Sequence, residues 1–246
     1  MLYIANWKMN MPSKQALTFC RDNYDGFEKL SQIEDKKIIL CPSFTEINIL
    51  CEIFKNTSIG IGAQDCSNEK IGPYTGQISA ESLHQVKCTY CIVGHSERRI
   101  YCSESNKNIG QKVLRLLESG ITPIVCVGEQ KIDYDAGIAK DVIKMQLESV
   151  FKATKNIVRA HLCIAYEPVW SIGTGIAPDN EYIEEIFDFI FKTAEKYGEN
   201  SEIKLLYGGS VSEENIVSLK GIKNLMGVLI GGASLDFKKF EKIVQL

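Results

Sequence analysis

The sequence predicts a (β/α)8 barrel, in which eight parallel strands close into a cylinder surrounded by helices. Eight short apolar runs recur along the 246 residues, and stretches with helical spacing separate them. Each run is a nearly continuous apolar block, which is typical of strands buried on both faces. Strict alternation of such strands with helices implies parallel strands joined by right-handed crossovers. A chain of roughly 250 residues suits one such barrel.

The apolar blocks give the expected strands directly. They cover residues 2–5, 37–41, 58–63, 89–93, 121–127, 161–166, 203–207 and 227–230. Helical spacing is clearest in 16–23, 113–117 and 183–191, and about eight helices are expected in all. Gly120 stands where a helix C-cap is expected, and Ser212 is the expected N-cap of a later helix, with acidic residues in its first turn.

An open, doubly wound sheet is the rival architecture. It is disfavoured because no GxGxxG follows the first strand, which runs straight into Asn6, Trp7 and Lys8. The chain shows no linker, charge run or shift in composition. We therefore expect a single barrel domain spanning residues 1–246.

Composition indicates an ordinary globular protein of the cytoplasm. The formal net charge is −3, so there is no overall attraction to nucleic acid or anionic lipid. No stretch approaches the roughly 20 apolar residues of a membrane span, and the N-terminal segment is too polar for a signal peptide. Of nine cysteines, Cys88 and Cys91 form a CxxC without a second ligand pair at zinc spacing. We expect small, reduced, buried thiols and no metal.

Chemistry-bearing residues follow the predicted strands at the end where barrels of this kind place their active sites. Lys8, His95 and Glu167 each stand just after a strand. Singly they have ordinary interpretations: a solvated lysine, a buried histidine such as we expect for His84 and His161, and a glutamate paired with an arginine. Together on one rim, an ammonium, an imidazole and a carboxylate make a proton-transfer site.

Glycine-rich loops after strands seven and eight predict a phosphate site. The pairs at 208–209 and 231–232 are each followed by a serine or small residue and a helical stretch. Glycine lets the backbone approach an anion, and the N–H groups of a helix start point at it. Residues 168–175 begin one residue after Glu167 and are mostly small, which favours a mobile lid over an ordinary surface loop.

Five segments in order make the whole chain resemble the triosephosphate isomerase family. They are residues 6–10, 94–99, 165–175, 207–211 and 231–235. The resemblance implies interconversion of dihydroxyacetone phosphate and D-glyceraldehyde 3-phosphate through an enediolate, in glycolysis and gluconeogenesis, without cofactor or metal. It also implies a barrel fold and a cytoplasmic enzyme.

The resemblance assigns a role to each matched residue. Glu167 matches the base that moves the proton, and His95 matches the neutral imidazole that polarises the carbonyl. Lys8 matches the cation near the oxyanion and the phosphate, Asn6 a side-chain amide on the substrate oxygens, and Glu97 the acid beneath the lysine. The matched phosphate-binding amides are those of Gly173, Ser210, Gly231 and Gly232. The matched lid and its latch comprise Pro168, Val169, Trp170, Ile172, Thr174, Gly175, Tyr207 and Ser210.

Residues 71–78 resemble the family's protruding loop, which docks into a neighbouring subunit. Thr75 matches the tip of that loop, so a homodimer is implied, with each loop supporting the partner subunit's site. Four residues depart from the family pattern. They are Gln77 for a usual Glu, Ile176 for a common Lys, Asp65 for a common Asn and Met226 for a common Asp.

Two other functions stay open on the residues alone. A non-catalytic barrel that binds a sugar phosphate or a protein partner would need the glycine loops but not Glu167. An aldolase would need a lysine within a strand for a Schiff base. The candidates Lys37 and Lys204 stand at strand starts, the wrong end for that chemistry.

Overall fold

A closed eight-stranded parallel barrel forms the centre of the protein. The computed structural model describes residues 1–157, 160–172, 178–197 and 202–246. The strands are β1 (Leu2–Asn6), β2 (Lys37–Cys41), β3 (Gly60–Ala63), β4 (Tyr90–Val93), β5 (Thr122–Val127), β6 (His161–Tyr166), β7 (Glu202–Tyr207) and β8 (Leu225–Ile230). The predicted (β/α)8 fold is confirmed, and every strand boundary lies within two residues of its expected place.

Alternate residues of the strands fill the barrel interior. These inward side chains form one buried cluster, which comprises Leu2, Ile4, Ile39, Cys41, Tyr90, Ile92, Ile124, Cys126, Cys163, Ala165, Leu206 and Leu229. The residues between them, such as Tyr3 and Ala5 of β1, pack outward in the larger core beneath the helices. Because both faces are covered, the strands need apolar residues at nearly every position, which explains their continuous apolar runs.

Eleven α-helices surround the barrel within the described ranges. They are α1 (Ser13–Asp22), α2 (Tyr24–Ser31), α3 (Phe44–Ile53), α4 (Ala80–Gln85), α5 (Ser96–Tyr101), α6 (Asn106–Glu118), α7 (Lys131–Asp135), α8 (Ala139–Thr154), α9 (Asn180–Tyr197), α10 (Ile216–Lys220) and α11 (Phe237–Gln245). The expectation of about eight was low because several strand-to-strand connections hold a second, short helix. Gly120 has the left-handed φ of +74° expected beyond a helix end.

Ser212 was wrongly predicted as a helix N-cap. Helix α10 begins four residues later, at Ile216. The Asn215 side chain accepts a hydrogen bond from the Ser212 N–H at 2.9 Å and donates one to the Ser210 carbonyl at 2.8 Å. These two bonds make the preceding residues a turn rather than the first turn of the helix.

Three further expectations about burial were wrong. The side chains of His84 and His161 are exposed, and His161 lies 3.0 Å from Glu202 at the N-terminal end of the barrel. All nine cysteines are free, and eight are buried as expected, but Cys102 is exposed.

Throughout the described ranges, every helix is too short or too polar to cross a lipid bilayer.

Candidate active site

A cavity of about 260 Å³ opens at the C-terminal end of the barrel and gathers the predicted chemical groups. Asn6 is the last residue of β1, His95 follows β4 by two residues, and Glu167 follows β6 directly. These three residues and Lys8 line the cavity together. They meet because the strands are parallel and end at the same mouth, although the residues are far apart in the chain.

The Glu167 carboxylate is nearly inaccessible, with 2% of the residue exposed. Its Oε2 accepts a hydrogen bond from the Ser96 N–H at 3.0 Å, and its Oε1 lies 3.2 Å from Nε2 of His95. The Cys126 thiol lies on its other side. Burial raises the pKa of that thiol, and the adjacent negative charge of Glu167 raises it further. The carboxylate thus faces the cavity with a neutral thiol behind it.

His95 is held in one orientation by the helix that it caps. Its Nδ1 accepts a hydrogen bond from the Glu97 N–H at 3.2 Å at the start of α5. An accepting Nδ1 carries no proton, so the neutral ring carries its proton on Nε2. That nitrogen is the one next to Glu167. A helix therefore starts directly after His95, and it fixes which nitrogen faces the cavity.

Lys8 adopts a left-handed backbone conformation, with φ at +52°. This conformation is rare for a residue with a side chain and is often found at functional sites. The Lys8 N–H donates to Asn6 Oδ1 at 3.1 Å, and Gln64 donates to the Lys8 carbonyl at 2.8 Å. Its Nζ binds Glu97 Oε1 at 2.6 Å. The local backbone conformation therefore sets the direction of the Lys8 side chain, and the bond to Glu97 holds its ammonium in place.

The two glycine loops complete the wall of the cavity. The cavity lining continues through Ile172, Gly208, Gly209, Ser210, Val211, Leu229, Gly231 and Gly232. A Cβ on Gly208 would lie 3.0 Å from Cγ of Glu167, and one on Gly209 would lie 2.3 Å from the Tyr207 hydroxyl. Glycine at both positions lets the backbone pass close to these side chains.

The first half of the predicted lid is tied to a buried glutamate. Residues Val169–Ser171 form a 3₁₀ turn, from which the Trp170 indole donates to Glu129 at 2.7 Å. The hydroxyls of Tyr166 and Tyr182 lie 3.0 and 3.3 Å from the same oxygen. Burial raises the pKa of Glu129, and these donors oppose the shift.

The latch residues lie beside this turn. The Ser210 hydroxyl donates to the Ser171 carbonyl at 3.4 Å. Burial raises the pKa of Tyr207 to about 12. Gly173, Thr174, Gly175 and Ile176 lie outside the described residues.

The predicted docking loop projects from the surface. A hydrogen bond of 2.8 Å from the Ser67 N–H to the Ile78 carbonyl closes its base, and residues 70–77, including Thr75 and Gln77, are exposed. Its apolar side chain Ile71 is 69% exposed. Met9 and Tyr101, beside Lys8 and Glu97, are 95% and 80% exposed. Apolar exposure of this kind is typical of an interface.

The departure at Asp65 creates a buried ion network. Asp65 binds Lys112 at 2.6 Å and Arg98 at 2.9 Å, and both cations also bind Glu104. Burial raises the pKa of Asp65, and Lys112 opposes that shift. Met226 is partly exposed next to an irregularity in the pairing of β7 with β8.

Sequence reasoning missed several groups around the site. The Ser96 N–H, Cys126, Gln64 and Leu229 all touch a predicted residue or line the cavity. Cys126 and Leu229 lie near strand ends, and that position could have marked them as site residues. In the sequence, however, they cannot be told apart from the other apolar residues of the strands. The Ser96 N–H is a backbone group and leaves no trace in residue type.

The fold and the site together define a class of protein, namely (β/α)8 barrels that gather a carboxylate, an imidazole and an ammonium at the C-terminal mouth. A sequence model of the family described as triosephosphate isomerase matches residues 1–246. The chain is 42% identical over 244 residues to a triosephosphate isomerase of a Wolbachia from Brugia malayi, covering 99% of this chain and 96% of that protein.

Two bacterial relatives of somewhat lower identity have the same name. The protein of Aquifex aeolicus is 39% identical over an alignment of 246 positions that covers 99% of this chain and 98% of that protein. The protein of Thermus thermophilus is 38% identical over an alignment of 248 positions that covers 100% of this chain and 98% of that protein. The chain belongs to the triosephosphate isomerase family and is therefore an isomerase.

Proposed function

We propose that this protein interconverts dihydroxyacetone phosphate and D-glyceraldehyde 3-phosphate, with Glu167 carrying the proton between the two carbons. The observation that carries the proposal is the position of the buried Glu167 carboxylate. It lies 3.2 Å from Nε2 of His95, in a cavity that Lys8 and two glycine loops also line. A binding protein would need the loops and not the carboxylate. The reaction belongs to glycolysis and gluconeogenesis.

The chemistry requires a base and donors aimed at the oxygen that gains charge. Glu167 removes the proton next to the carbonyl and returns it to the neighbouring carbon. Nε2–H of His95 and the Lys8 ammonium then stabilise the enediolate, with the Asn6 amide as a further contact. Because side chains supply every group, no metal or cofactor is needed. We expect activity to survive exhaustive dialysis against a chelator.

The phosphate group does not react, so its binding energy is free to organise the site. We assign phosphate binding to the backbone of Ser210, Gly231 and Gly232 and, in the lid, Gly173. Closure of residues 168–175 over the substrate, latched through Tyr207 and Ser210, would exclude water and keep the enediolate from expelling phosphate. The link from Ser210 to the Ser171 carbonyl supports this coupling of phosphate loop and lid.

The decisive experiment replaces the base and compares it with another buried acid. Glu167→Gln should lower kcat by about 10²- to 10⁴-fold, the usual contribution of a general base. Glu46→Gln is the matched control, since Glu46 is 1% exposed and does not line the cavity. A coupled assay with glyceraldehyde 3-phosphate gives both rates. Undiminished turnover by the Glu167 variant would refute the assignment, and no turnover by the wild type would favour the non-catalytic barrel.

A ligand test addresses the site independently of turnover. The anion 2-phosphoglycolate resembles the enediolate and its phosphate, so it should raise the melting temperature through preferential binding to the folded state. Glycolate lacks the phosphate and serves as the control. No shift at saturating 2-phosphoglycolate would count against a phosphate site in this cavity.

We also propose a homodimer in which Thr75 and its loop dock beside the partner subunit's Lys8 and His95. The exposed apolar side chains of this loop and of Met9 and Tyr101 support the proposal. Ile71→Asp should shift the protein from dimer to monomer in analytical ultracentrifugation. Ile132→Asp is the control because Ile132 is 74% exposed on α7, away from this surface. Equal dimer stability in both variants would overturn the docking surface.

We propose the cytoplasm as the location. Nine free thiols suit a reducing compartment, where disulfides are rare. Fractionation of cells that express the protein with a C-terminal tag tests this, and recovery of the protein in a membrane or secreted fraction would contradict it.

A further inference from the structure

Two tyrosines from neighbouring helices pack with the indole of Trp170 in a group that we call the aromatic cluster. The Tyr134 ring on α7 lies against the indole, with ring centroids 4.4 Å apart and ring planes inclined by 33°. Tyr182 on α9 meets the Tyr134 ring edge to face, with centroids 5.4 Å apart. Helix α7 precedes β6 in the chain and α9 follows it. The aromatic cluster therefore joins the elements before and after the loop that follows β6.

The polar edge of the aromatic cluster lies at Glu129, which is fully buried. Its Oε1 accepts hydrogen bonds from the Trp170 indole at 2.7 Å and from the Tyr182 hydroxyl at 3.3 Å. The Glu129 carbonyl accepts a third hydrogen bond from the Val169 N–H at 3.1 Å. Tyr182 therefore supports Trp170 in two ways, through the Tyr134 ring and through the carboxylate that binds the indole.

A short stretch of chain connects the aromatic cluster to the cavity. Trp170 stands three residues after Glu167 and two residues before Ile172. Ile172 belongs to the cavity lining, whereas neither tyrosine is among the described residues that line it. A change in the position of Trp170 therefore reaches the cavity through the backbone on either side of it.

We propose, on the basis of the isomerisation proposed above, that Tyr134 and Tyr182 are positioning residues that hold the first turn of the lid, Val169–Ser171, through Trp170. A lid protects the reacting groups from water only while it is closed, so a first turn held in one place favours the closed arrangement over displaced ones. An aromatic pair of this kind changes an equilibrium by roughly 2- to 12-fold. Loss of either tyrosine ring should therefore expose the enediolate more often.

Expulsion of phosphate from the enediolate measures this exposure. When the intermediate is exposed, its C–O bond to the phosphate breaks, the bonding electron pair leaves with the phosphate, and a three-carbon enol aldehyde remains. The ratio of inorganic phosphate released to substrate isomerised thus reports on lid closure and does not depend on the amount of folded enzyme. Tyr134→Leu and Tyr182→Leu should each raise this ratio by about 3- to 10-fold and lower kcat/KM.

Two control variants separate lid closure from folding stability. Tyr134→Phe keeps the ring that meets Trp170 and should retain the wild-type ratio. Tyr24→Leu makes the same chemical change elsewhere, because Tyr24 on α2 is also partly exposed and stacks on Phe54 with centroids 5.8 Å apart. It should lower the melting temperature and leave the ratio unchanged.

A spectroscopic measurement follows Trp170 without turnover. The chain has two tryptophans, and Trp7 is 1% exposed, so quenching of fluorescence by acrylamide reports chiefly on Trp170. Tyr182→Leu is the informative variant, because the Tyr182 ring packs on Tyr134 and its loss leaves Tyr134 over the face of the indole. With saturating 2-phosphoglycolate, this variant should have a larger quenching constant than the wild type.

The outcomes are distinct. A raised phosphate ratio in both leucine variants at 134 and 182, with Tyr134→Phe and Tyr24→Leu unchanged, supports the proposal. A wild-type ratio in those two variants, together with lower melting temperatures, would make the aromatic cluster merely structural and overturn it. Unchanged quenching in Tyr182→Leu would also contradict it, and this holds if Tyr134→Leu does not fold. A wild-type protein that forms neither isomerised product nor phosphate would instead mean that the proposed function has failed.

Discussion

Gly128 lies against the backbone of the proposed base, so a single methyl group there should displace Glu167. An ideal Cβ on Gly128 would lie 1.8 Å from the Glu167 carbonyl oxygen, whereas real contacts of this kind begin near 3.0 Å. The two must therefore separate by at least about 1.2 Å. Gly128 is itself held by Gln146, which accepts from its N–H at 2.9 Å and donates to its carbonyl at 3.0 Å. Most of the displacement should thus fall on Glu167.

A shift of about 1 Å at a reacting group costs on the order of 100-fold in rate. We therefore expect Gly128→Ala to lower kcat by about 100-fold, with a stability loss of about 1–3 kcal/mol from overpacking. KM should change little because the phosphate loops are untouched. The coupled assay gives kcat and KM, and thermal melting confirms folding.

Gly137→Ala provides the control for the stability loss. Gly137 has φ at +70° and no atom within 4 Å of an added Cβ. Its alanine variant should lose about 1–2 kcal/mol through the left-handed conformation alone and keep full kcat. A folded Gly128→Ala protein with wild-type kcat would refute the view that backbone packing against Gly128 positions the base.

Three further predictions test the loops and the buried charges. Gly232→Ala should leave kcat and KM unchanged because an added Cβ meets no atom within 4 Å. Gly232→Asp should raise KM because its carboxylate repels the substrate phosphate. Equal KM values for the two variants would exclude Gly232 from the phosphate site. Burial raises the pKa of Glu129 above its usual 4.5, so the folded state holds the Glu129 proton more tightly than the unfolded state. The wild type should therefore lose stability relative to Glu129→Gln as pH rises from about 4.5. A constant difference between the two melting temperatures across pH 4–7 would contradict this. Lys112→Met removes the more buried of the two cations that Asp65 and Glu104 share, the other being Arg98. It should cost about 3–5 kcal/mol in chemical denaturation, whereas a change below about 1 kcal/mol would show that Arg98 and solvent compensate for the loss.

Most of the fold was predictable because a strand that is buried on both faces appears in the sequence as a continuous apolar block. Every strand of the barrel is an apolar block, and every boundary could be placed within two residues. The errors occurred where side chains compete with the backbone or where burial depends on neighbours. Asn215 binds the Ser212 N–H and delays α10. His161 stands at the start of β6, where the barrel opens to solvent.

The candidate site was predictable in its membership but not in its contacts. Lys8, His95 and Glu167 could be found because polar residues directly after buried strands stand out. The hydrogen bond from the Ser96 N–H to Glu167 could not, because any residue type offers that N–H. Asp65 could be noted as unusual, but its pairing with Lys112 joins segments 47 residues apart.

The amino-acid sequence alone determines the alternation of strands and helices and the residue types at the strand ends, since these depend on periodicity and local propensity. Tertiary structure decided which nitrogen of His95 faces Glu167, how closely Gly128 packs against Glu167, and which cations surround Asp65. Those features depend on how each strand is staggered against its neighbours when the sheet closes. A shift of one residue in that stagger would turn each side chain to the opposite face.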